Sequence, residues 1–296
     1  MKQLIKSATI FNAELPSAEA LEEHFAADAF VEPLSTQAMS IGFVPREDFG
    51  NLVEVFPGGI AFTVRVDQKI LPGSIVKSEV NKVAKQREAD TGRKVGKKER
   101  GEIKLGVTEA LLVHALVRTT LVTCYHHTKL NYLIVPLTNK VLAGKIISLL
   151  VNSVNSVKTT TINVSDVKGG LTTRLKNWLG GDEDAFAGLY PGNEVQLEQD
   201  DRKVTVRMSN LTKAGGALKE ALASSFTVKS LGLWFEGGLA LKLTDSFQLR
   251  GIANEILIPE DPEDDTFAAQ AALEVNELAE AITFLCEMFG YQEAAE

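Results

Sequence analysis

The most distinctive chemistry of this sequence lies in a lysine- and arginine-rich stretch between residues 77 and 104. It holds ten Lys or Arg residues and five acids, a net of +5, although the whole chain of 296 residues has a formal net charge of -8. Closely spaced cations neutralise the phosphates of a nucleic-acid backbone and need no catalytic geometry to do so. The candidate phosphate-binding residues are Lys77, Lys82, Lys85, Arg87, Arg93, Lys94, Lys97, Lys98, Arg100 and Lys104.

The residues around these cations indicate which kind of nucleic acid they suit. No Phe, Tyr or Trp occurs from Lys69 to Lys104, so the stretch has no side chain on which single-stranded bases could stack. It also lacks the signatures of a helix-turn-helix, a zinc finger or an RNA-recognition domain. The pattern therefore favours backbone binding of duplex DNA without sequence preference.

A nuclease is the enzymatic alternative. Glu102-Ile103-Lys104 is an E-x-K triplet with Asp90 upstream, and carboxylates beside a basic surface could cut DNA with a bound metal. Such a triplet requires a strand to direct both side chains at one metal, whereas this region is predicted as helix or loop. A metal-dependent exonuclease using Glu102, Lys104 and a distant acid stays open as the second reading.

Other residue clusters do not complete a catalytic or metal site. Cys124 and His126 lie on one face of a predicted strand next to His127, but a third ligand at metal spacing is missing, which favours a packed or hydrogen-bonded pair. Lys145 follows a glycine without the spacing of a phosphate-binding loop. The acidic run from Glu260 to Asp265 lacks the EF-hand pattern and is predicted as a solvated turn. We therefore expect no catalytic residues, no metal and no cofactor.

The end of the chain has the opposite charge. From Asn254 to Glu296 there are twelve acids and no Lys or Arg. Such asymmetry indicates that one surface meets an anion while another is kept away from it, although an ordinary solvated surface would also account for it. A third reading, a protein-binding module whose acidic tail mimics DNA, predicts no affinity for duplex DNA.

The basic stretch is predicted to lie on a helix and on the turn that joins it to a second helix. Ser74 can cap the first helix, and Gly92 and Gly96 interrupt the helical pattern, so the cations from Arg93 to Arg100 are expected in an exposed turn. The second helix is expected to begin after Thr108. The apolar positions of the first helix are Val76, Val80, Val83 and Ala84, and those of the second are Leu111, Leu112, Ala115 and Leu116.

The whole chain is predicted to be an α+β protein with mixed or antiparallel sheets and flanking helices. Alternating segments predict a hairpin over 52–66, and helical spacing predicts a long final helix from Phe267 to Phe289. The expected regions are a central α+β part (1–71 and 119–176), a basic helical hairpin (72–118), a protruding loop-rich tip (177–225), and C-terminal strands with an acidic loop and a helix (226–296).

Composition places the protein in a reducing compartment. Hydrophobic residues make up 45% of the chain, enough for one large core or two ordinary ones, and Cys124 and Cys286 form no CxxC pair. The first residues contain too short an apolar run for a signal peptide, and no internal run reaches membrane-spanning length. We expect a cytoplasmic protein without membrane contact.

Several motifs, taken together, resemble the bacterial and phage RdgC proteins, which are associated with recombination. The most distinctive are "KILP" at Lys69–Pro72, the following "IVKSEVNKVAKQREA", and "RKVGKKE" leading to "EALLVHAL". "GFVP" at Gly42–Pro45 is a further match. Weaker similarities follow in the same order, including "LAGKIISLLVNSVNSV", "LGGDEDAFAGLYPGNEV", "VRMSNL" and "FTVKSLGLWFEGGLALKL".

This resemblance implies a protomer that pairs with a second copy into a ring around duplex DNA. Proteins of this family bind DNA without marked sequence preference and restrain RecA-type recombinases, which implies a nucleoid-associated homodimer. Arg118 would then be a further charge lining the hole. Where the family has a Pro-Arg-Ala-Phe pattern, this sequence has Val113-His114-Ala115-Leu116, so a phenylalanine contact does not carry over.

Overall fold

Antiparallel strands form one continuous path through the protein in this computed structural model. The structure describes residues 3–46, 50–154, 157, 159–162, 164, 167–200, 202–207, 215–254 and 266–291. The strands are β1 (Ser7–Ala13), β2 (Met39–Val44), β3 (Val53–Phe56), β4 (Gly59–Lys69), β5 (Val117–His127), β6 (Tyr132–Val135), β7 (Thr159–Thr161), β8 (Tyr190–Gln199), β9 (Arg202–Arg207), β10 (Thr227–Trp234), β11 (Leu239–Thr244) and β12 (Gln248–Asn254). Their order in the sheet is β2-β4-β5-β6-β1-β12-β11-β10-β8-β9, with β3 beside β4 and β7 beside β1.

Seven α-helices accompany the strands in the described part of the chain. They are α1 (Ala18–Ala27), α2 (Gly73–Thr91), α3 (Lys97–Val113), α4 (Lys140–Val154), α5 (Val167–Gly180), α6 (Gly215–Ala223) and α7 (Phe267–Met288). The prediction of an α+β fold with an antiparallel sheet is thereby confirmed. None of the described helices is both long enough and apolar enough to cross a lipid bilayer.

Two apolar clusters hold the helices against the sheet. In the first, Val275, Leu278 and Ile282 of α7 pack with the strands from β8 to β12. In the second, Phe25 of α1 stacks on Phe43 of β2 with ring centroids 3.7 Å apart. Burying each such side chain stabilises the fold by roughly 1.5–3 kcal/mol relative to leaving it exposed.

Local signals predicted several elements correctly. Ser17, a residue type preferred at helix N-caps, caps α1 by accepting a hydrogen bond from the backbone N–H of Ala20. Strands β3 and β4 form the predicted hairpin, with Val53 opposite Phe62. Helix α7 begins at Phe267, where the final helix was expected.

Residues 177–225, the predicted loop-rich tip, contain regular elements as well as turns. They contain the end of α5, strands β8 and β9, and helix α6, and Phe186 is fully buried in the main core. Gly181 and Gly188 adopt φ values of 106° and 94°, which only glycine tolerates readily, and these turns bring the chain back onto the core. Gly181 and Gly188 therefore mark tight turns within the fold.

The basic stretch leaves the sheet between β4 and β5. The last pair of residues in this strand pairing is Lys69 and Val117. One residue further along, the N–H of Ile70 donates a hydrogen bond to the carbonyl of Leu116 at 2.8 Å. Helices α2 and α3 make up the connection, so the end of the β4–β5 ladder is their base.

The predicted start of the second helix is wrong. Helix α3 begins at Lys97, immediately after Gly96, and ends at Val113. Gly101 and Gly106 lie inside it, because packing on α2 offsets their low helix propensity. Since Leu116 follows the helix and is 78% exposed, it does not belong to the apolar stripe that was predicted there.

Candidate nucleic-acid interface

Helices α2 and α3 are held together by a small apolar cluster of their own. Val76, Val80 and Ala84 recur every four residues on α2 and pack with Ile103 of α3. The partly buried side chains around them are Leu71, Val95, Val107 and Leu111. Residues four apart lie on one helix face, so this pattern decides which face of each helix meets the other and which faces carry the charges.

The turn between the two helices is closed by hydrogen bonds. Gly92 ends α2 in the left-handed conformation, with φ 66°, and its N–H donates to the carbonyl of Glu88 at 2.9 Å. The carboxylate of Glu88 in turn accepts from the N–H of Val95 at 2.9 Å. These bonds hold the five-residue turn in one conformation and thereby fix the start of α3.

A groove of about 660 Å³ runs between α2 and α3. Its rim consists of Lys77 from α2 and of Lys97, Arg100 and Lys104 from α3, and Leu71, Val76 and Val80 lie beneath them. Among the residues that the structure describes, none of those lining the groove is acidic. We call this feature the cationic groove.

The cations of α3 are spaced to follow a phosphate backbone. Lys97, Arg100 and Lys104 stand three and four residues apart, so they form one row about 10 Å long at about 1.5 Å per residue. Phosphates of one DNA strand advance about 3.4 Å along the duplex axis. The row therefore spans about three phosphates of one strand.

Other predicted cations are paired with carboxylates inside the helix pair. Glu99 accepts from Arg93 at 3.0 Å and from Arg87 at 3.3 Å, and its side chain is only 18% exposed. Lys82 pairs with Glu79 at 2.6 Å. In the described residues no such ion pair involves Lys77, Lys97, Arg100 or Lys104. Three cations outside the groove are thus neutralised, whereas the four that line it have no carboxylate partner among the described residues.

The remaining predicted residues lie apart from the groove. Lys85, Lys94 and Lys98 are exposed on the helix pair but do not line the groove. Arg118 is exposed on β5 opposite Gln68, at the base of the pair. The structure therefore brings four of the eleven predicted residues together in one concave surface and distributes the others around it.

The E-x-K triplet does not converge on one point. Glu102 and Lys104 are both on α3, where residues two apart point about 200° from each other, and only Lys104 lines the groove. Asp90 accepts a hydrogen bond from Gln86 one turn earlier on α2. In the described part of the chain no group of three His, Cys, Asp or Glu side chains is placed to hold a metal ion, and the acidic run at 260–265 lies outside that part.

The Cys-His cluster has structural partners. Cys124 is fully buried in the second apolar cluster, and burial raises the pKa of its thiol. A ring nitrogen of His126 lies 2.8 Å from the carbonyl oxygen of Ala13, and Nδ1 of His127 accepts from the N–H of Leu130 at 3.1 Å. Burial lowers the pKa of both imidazoles, which favours the neutral form of each ring.

Gly101 is one of the groove residues that sequence reasoning missed. It lies between Arg100 and Lys104 on the face that meets the groove, and a Cβ built there would meet no heavy atom within 4 Å. The spacing of Lys97, Gly101, Lys104 and Thr108 at intervals of three and four residues carries this signal. It was hidden because the helix was not predicted to include these positions.

Comparison with known proteins covers nearly the entire chain. The RdgC family model, described as "Putative exonuclease, RdgC", matches residues 4–292. The recombination-associated protein RdgC of Dechloromonas aromatica is 27% identical over 97% of this chain and 96% of its own length. The proteins of that name from Cupriavidus pinatubonensis (25% identical, covering 95% of both chains) and Pseudomonas putida (26%, covering 93% of this chain and 92% of its own) are similarly collinear. The chain therefore belongs to the RdgC family.

Proposed function

We propose that this protein binds duplex DNA without sequence preference through the cationic groove of α2 and α3. The observation that carries the proposal is the placement of four cations around one groove whose described lining residues include no acid, while Lys82, Arg87 and Arg93 nearby are paired with carboxylates. Phosphate binding needs uncompensated cations, and these four supply them. The name of the relatives, recombination-associated protein, supports a role in recombination.

We also propose that two copies close into a ring around the duplex. Each helix pair would project from the end of its β4–β5 ladder towards the DNA, with Arg118 at its base. Leu116, Val117 and Leu121 are 78%, 45% and 49% exposed close to this base, and a run of exposed apolar side chains is typical of a protein contact. The ring would occupy the duplex partner of a RecA-type recombinase, restrain strand exchange and keep the protein at the nucleoid.

Exonuclease activity is the second candidate, because the description of the family model names it. The placement of Glu102 and Lys104 around α3 does not favour it, since a shared metal requires both side chains to point to one place. We therefore propose a binding protein without catalytic residues, metal or cofactor.

One assay separates these readings. The wild-type chain is titrated into an end-labelled linear duplex at low salt, with EDTA in one series and Mg²⁺ or Mn²⁺ in the other. The proposal predicts a retarded complex and DNA of unchanged length in both series. Shortened DNA in the metal series would establish the exonuclease, and the absence of any complex at low salt would refute DNA binding.

A further inference from the structure

The cationic groove has more apolar surface than phosphate binding requires. Leu71, Val76 and Val80 line it from below, and the methylene stems of its lysines and arginine extend this surface upwards to the charged rim. A phosphate backbone contacts only the rim, because its anionic oxygens gain nothing from an apolar floor. The floor indicates a ligand that carries apolar side chains as well as negative charge.

Gly101 keeps the floor open at its centre. Nothing lies within 4 Å of a Cβ built at this position, so any larger side chain would extend into the groove. Glycine inside a helix costs roughly 0.8–1 kcal/mol relative to alanine. Gly106, one and a half turns later on α3, is equally open but does not line the groove.

We propose that the cationic groove docks an acidic peptide segment of a partner protein. Large apolar side chains of the peptide fill the floor beside Gly101, and flanking carboxylates meet Lys77, Lys97, Arg100 and Lys104. Charge complementarity selects this class of partner, because the groove offers four cations and, among its described lining residues, no acid. Apolar anchors in a desolvated pocket supply the affinity.

The dimensions of the groove suit such a segment. Its volume of about 660 Å³ lies within the roughly 300–1,000 Å³ of small-ligand sites. Along α3 the groove extends from Lys97 to Thr108, which are eleven residues apart, or about 16 Å of helix. This length matches about three turns of a helical peptide lying with its apolar face in the groove.

The peptide and the duplex use the same four cations, so they bind in competition. This consequence rests on the proposed function, whereas docking itself does not. An acidic partner would thereby release the protein from DNA or hold it away from DNA.

Two fluorescein-labelled peptides test the docking in the absence of DNA. One consists of three Glu-Leu-Glu repeats and the other of three Glu-Ser-Glu repeats, so both carry the same charge. Fluorescence anisotropy with the wild-type chain should show at least tenfold tighter binding of the leucine peptide, because only leucine buries apolar surface in the floor. Equal affinities for the two peptides would show that the groove binds any polyanion, and this would overturn the proposal. Binding of neither peptide would also overturn it.

Gly101→Leu and Gly106→Leu are the matched variants, since both place leucine at an open glycine of α3. Gly101→Leu should lower the affinity for the leucine peptide at least tenfold, because the new side chain fills the groove. Gly106→Leu should change this affinity less than twofold. Both variants should keep the helical circular dichroism of the wild-type chain. Undiminished binding by Gly101→Leu would overturn the proposal. Because peptide binding is measured without DNA, a failure of duplex binding would refute the proposed function and leave this inference standing.

Discussion

Glu99 accepts a hydrogen bond from Arg93 at 3.0 Å, across the turn that joins α2 to α3. The same carboxylate lies 3.3 Å from Arg87, so one acid holds two of the predicted phosphate-binding residues. Counting the cations of the sequence therefore overstates the charge that DNA can meet. Arg87 and Arg93 are neutralised in this way, whereas the groove cations have no carboxylate partner among the described residues.

Removing this carboxylate should strengthen DNA binding. Glu99→Gln frees Arg87 and Arg93, whereas Glu102→Gln removes the same charge from an exposed position of α3 that holds no cation in the described structure. Each additional phosphate contact steepens the slope of log K against log salt by about 0.9. We therefore expect the slope for Glu99→Gln to be steeper than that of the control by about 1–2. The measurement is duplex affinity between 50 and 200 mM NaCl. Equal slopes for the two variants would show that the freed arginines do not reach DNA.

The turn conformation at Gly92 should be required for a stable helix pair. Gly92→Ala forces a residue with a Cβ into φ 66°, which costs about 1–2 kcal/mol, whereas Gly106→Ala inside α3 should stabilise by about 0.5–1 kcal/mol. Urea unfolding monitored by circular dichroism measures both. A neutral effect of Gly92→Ala would contradict the left-handed cap.

The buried imidazole of His126 should make stability depend on pH. Burial lowers its pKa in the folded protein below the ordinary value of 6.5, so below about pH 6.5 the unfolded chain binds the proton more readily. The contribution of neutral His126 is complete above that value and decreases as the pH falls towards the folded-state pKa. We expect the free energy of unfolding to decrease between pH 7.5 and 5.5, and to decrease less in His126→Gln. The same pH dependence in both proteins would exclude His126 as the source.

Ring formation predicts a dimer that distinguishes DNA with ends from DNA without ends. In native mass measurements the wild-type chain should be a dimer, and Leu116→Glu should shift it towards the monomer by placing a charge in the proposed contact. Val141→Glu, at a position of α4 that is 72% exposed, is the matched control.

A closed ring should load more slowly on covalently closed circles than on linear duplex. A monomeric wild-type chain, or equal loading on both DNA forms, would contradict the ring.

Local patterns allowed much of the fold to be predicted, and the reason is visible in individual elements. The alternation of residues 52–66 and the helical spacing of α7 depend only on neighbours in sequence, so they predicted the hairpin and the final helix. In residues 177–225 the glycines indicate loops, but the burial of Phe186 depends on core residues distant in sequence and cannot be recognised from local patterns.

The cationic groove could be predicted only in part. Its lysines and arginines were recognisable as a cluster, but which of them line the groove depends on the face that α2 turns towards α3. Ile103 decides that face, and its packing on Val80 cannot be recognised before α3 is known to begin at Lys97. The pairing of Arg93 with Glu99 likewise depends on the geometry of the turn.

The central claim is that the groove cations contact the DNA backbone, and the salt dependence of duplex binding tests it most directly. The triple variant Lys97→Gln, Arg100→Gln, Lys104→Gln is compared with Lys129→Gln, Lys176→Gln, Lys219→Gln, which removes the same charge at exposed sites outside the helix pair. The claim predicts that the groove triple makes the log-log slope shallower by about 2.7 and weakens binding on the order of 100-fold, equally for all sequences, while the distant triple keeps the wild-type slope. An unchanged slope in the groove triple, or the same loss in both triples, would contradict it.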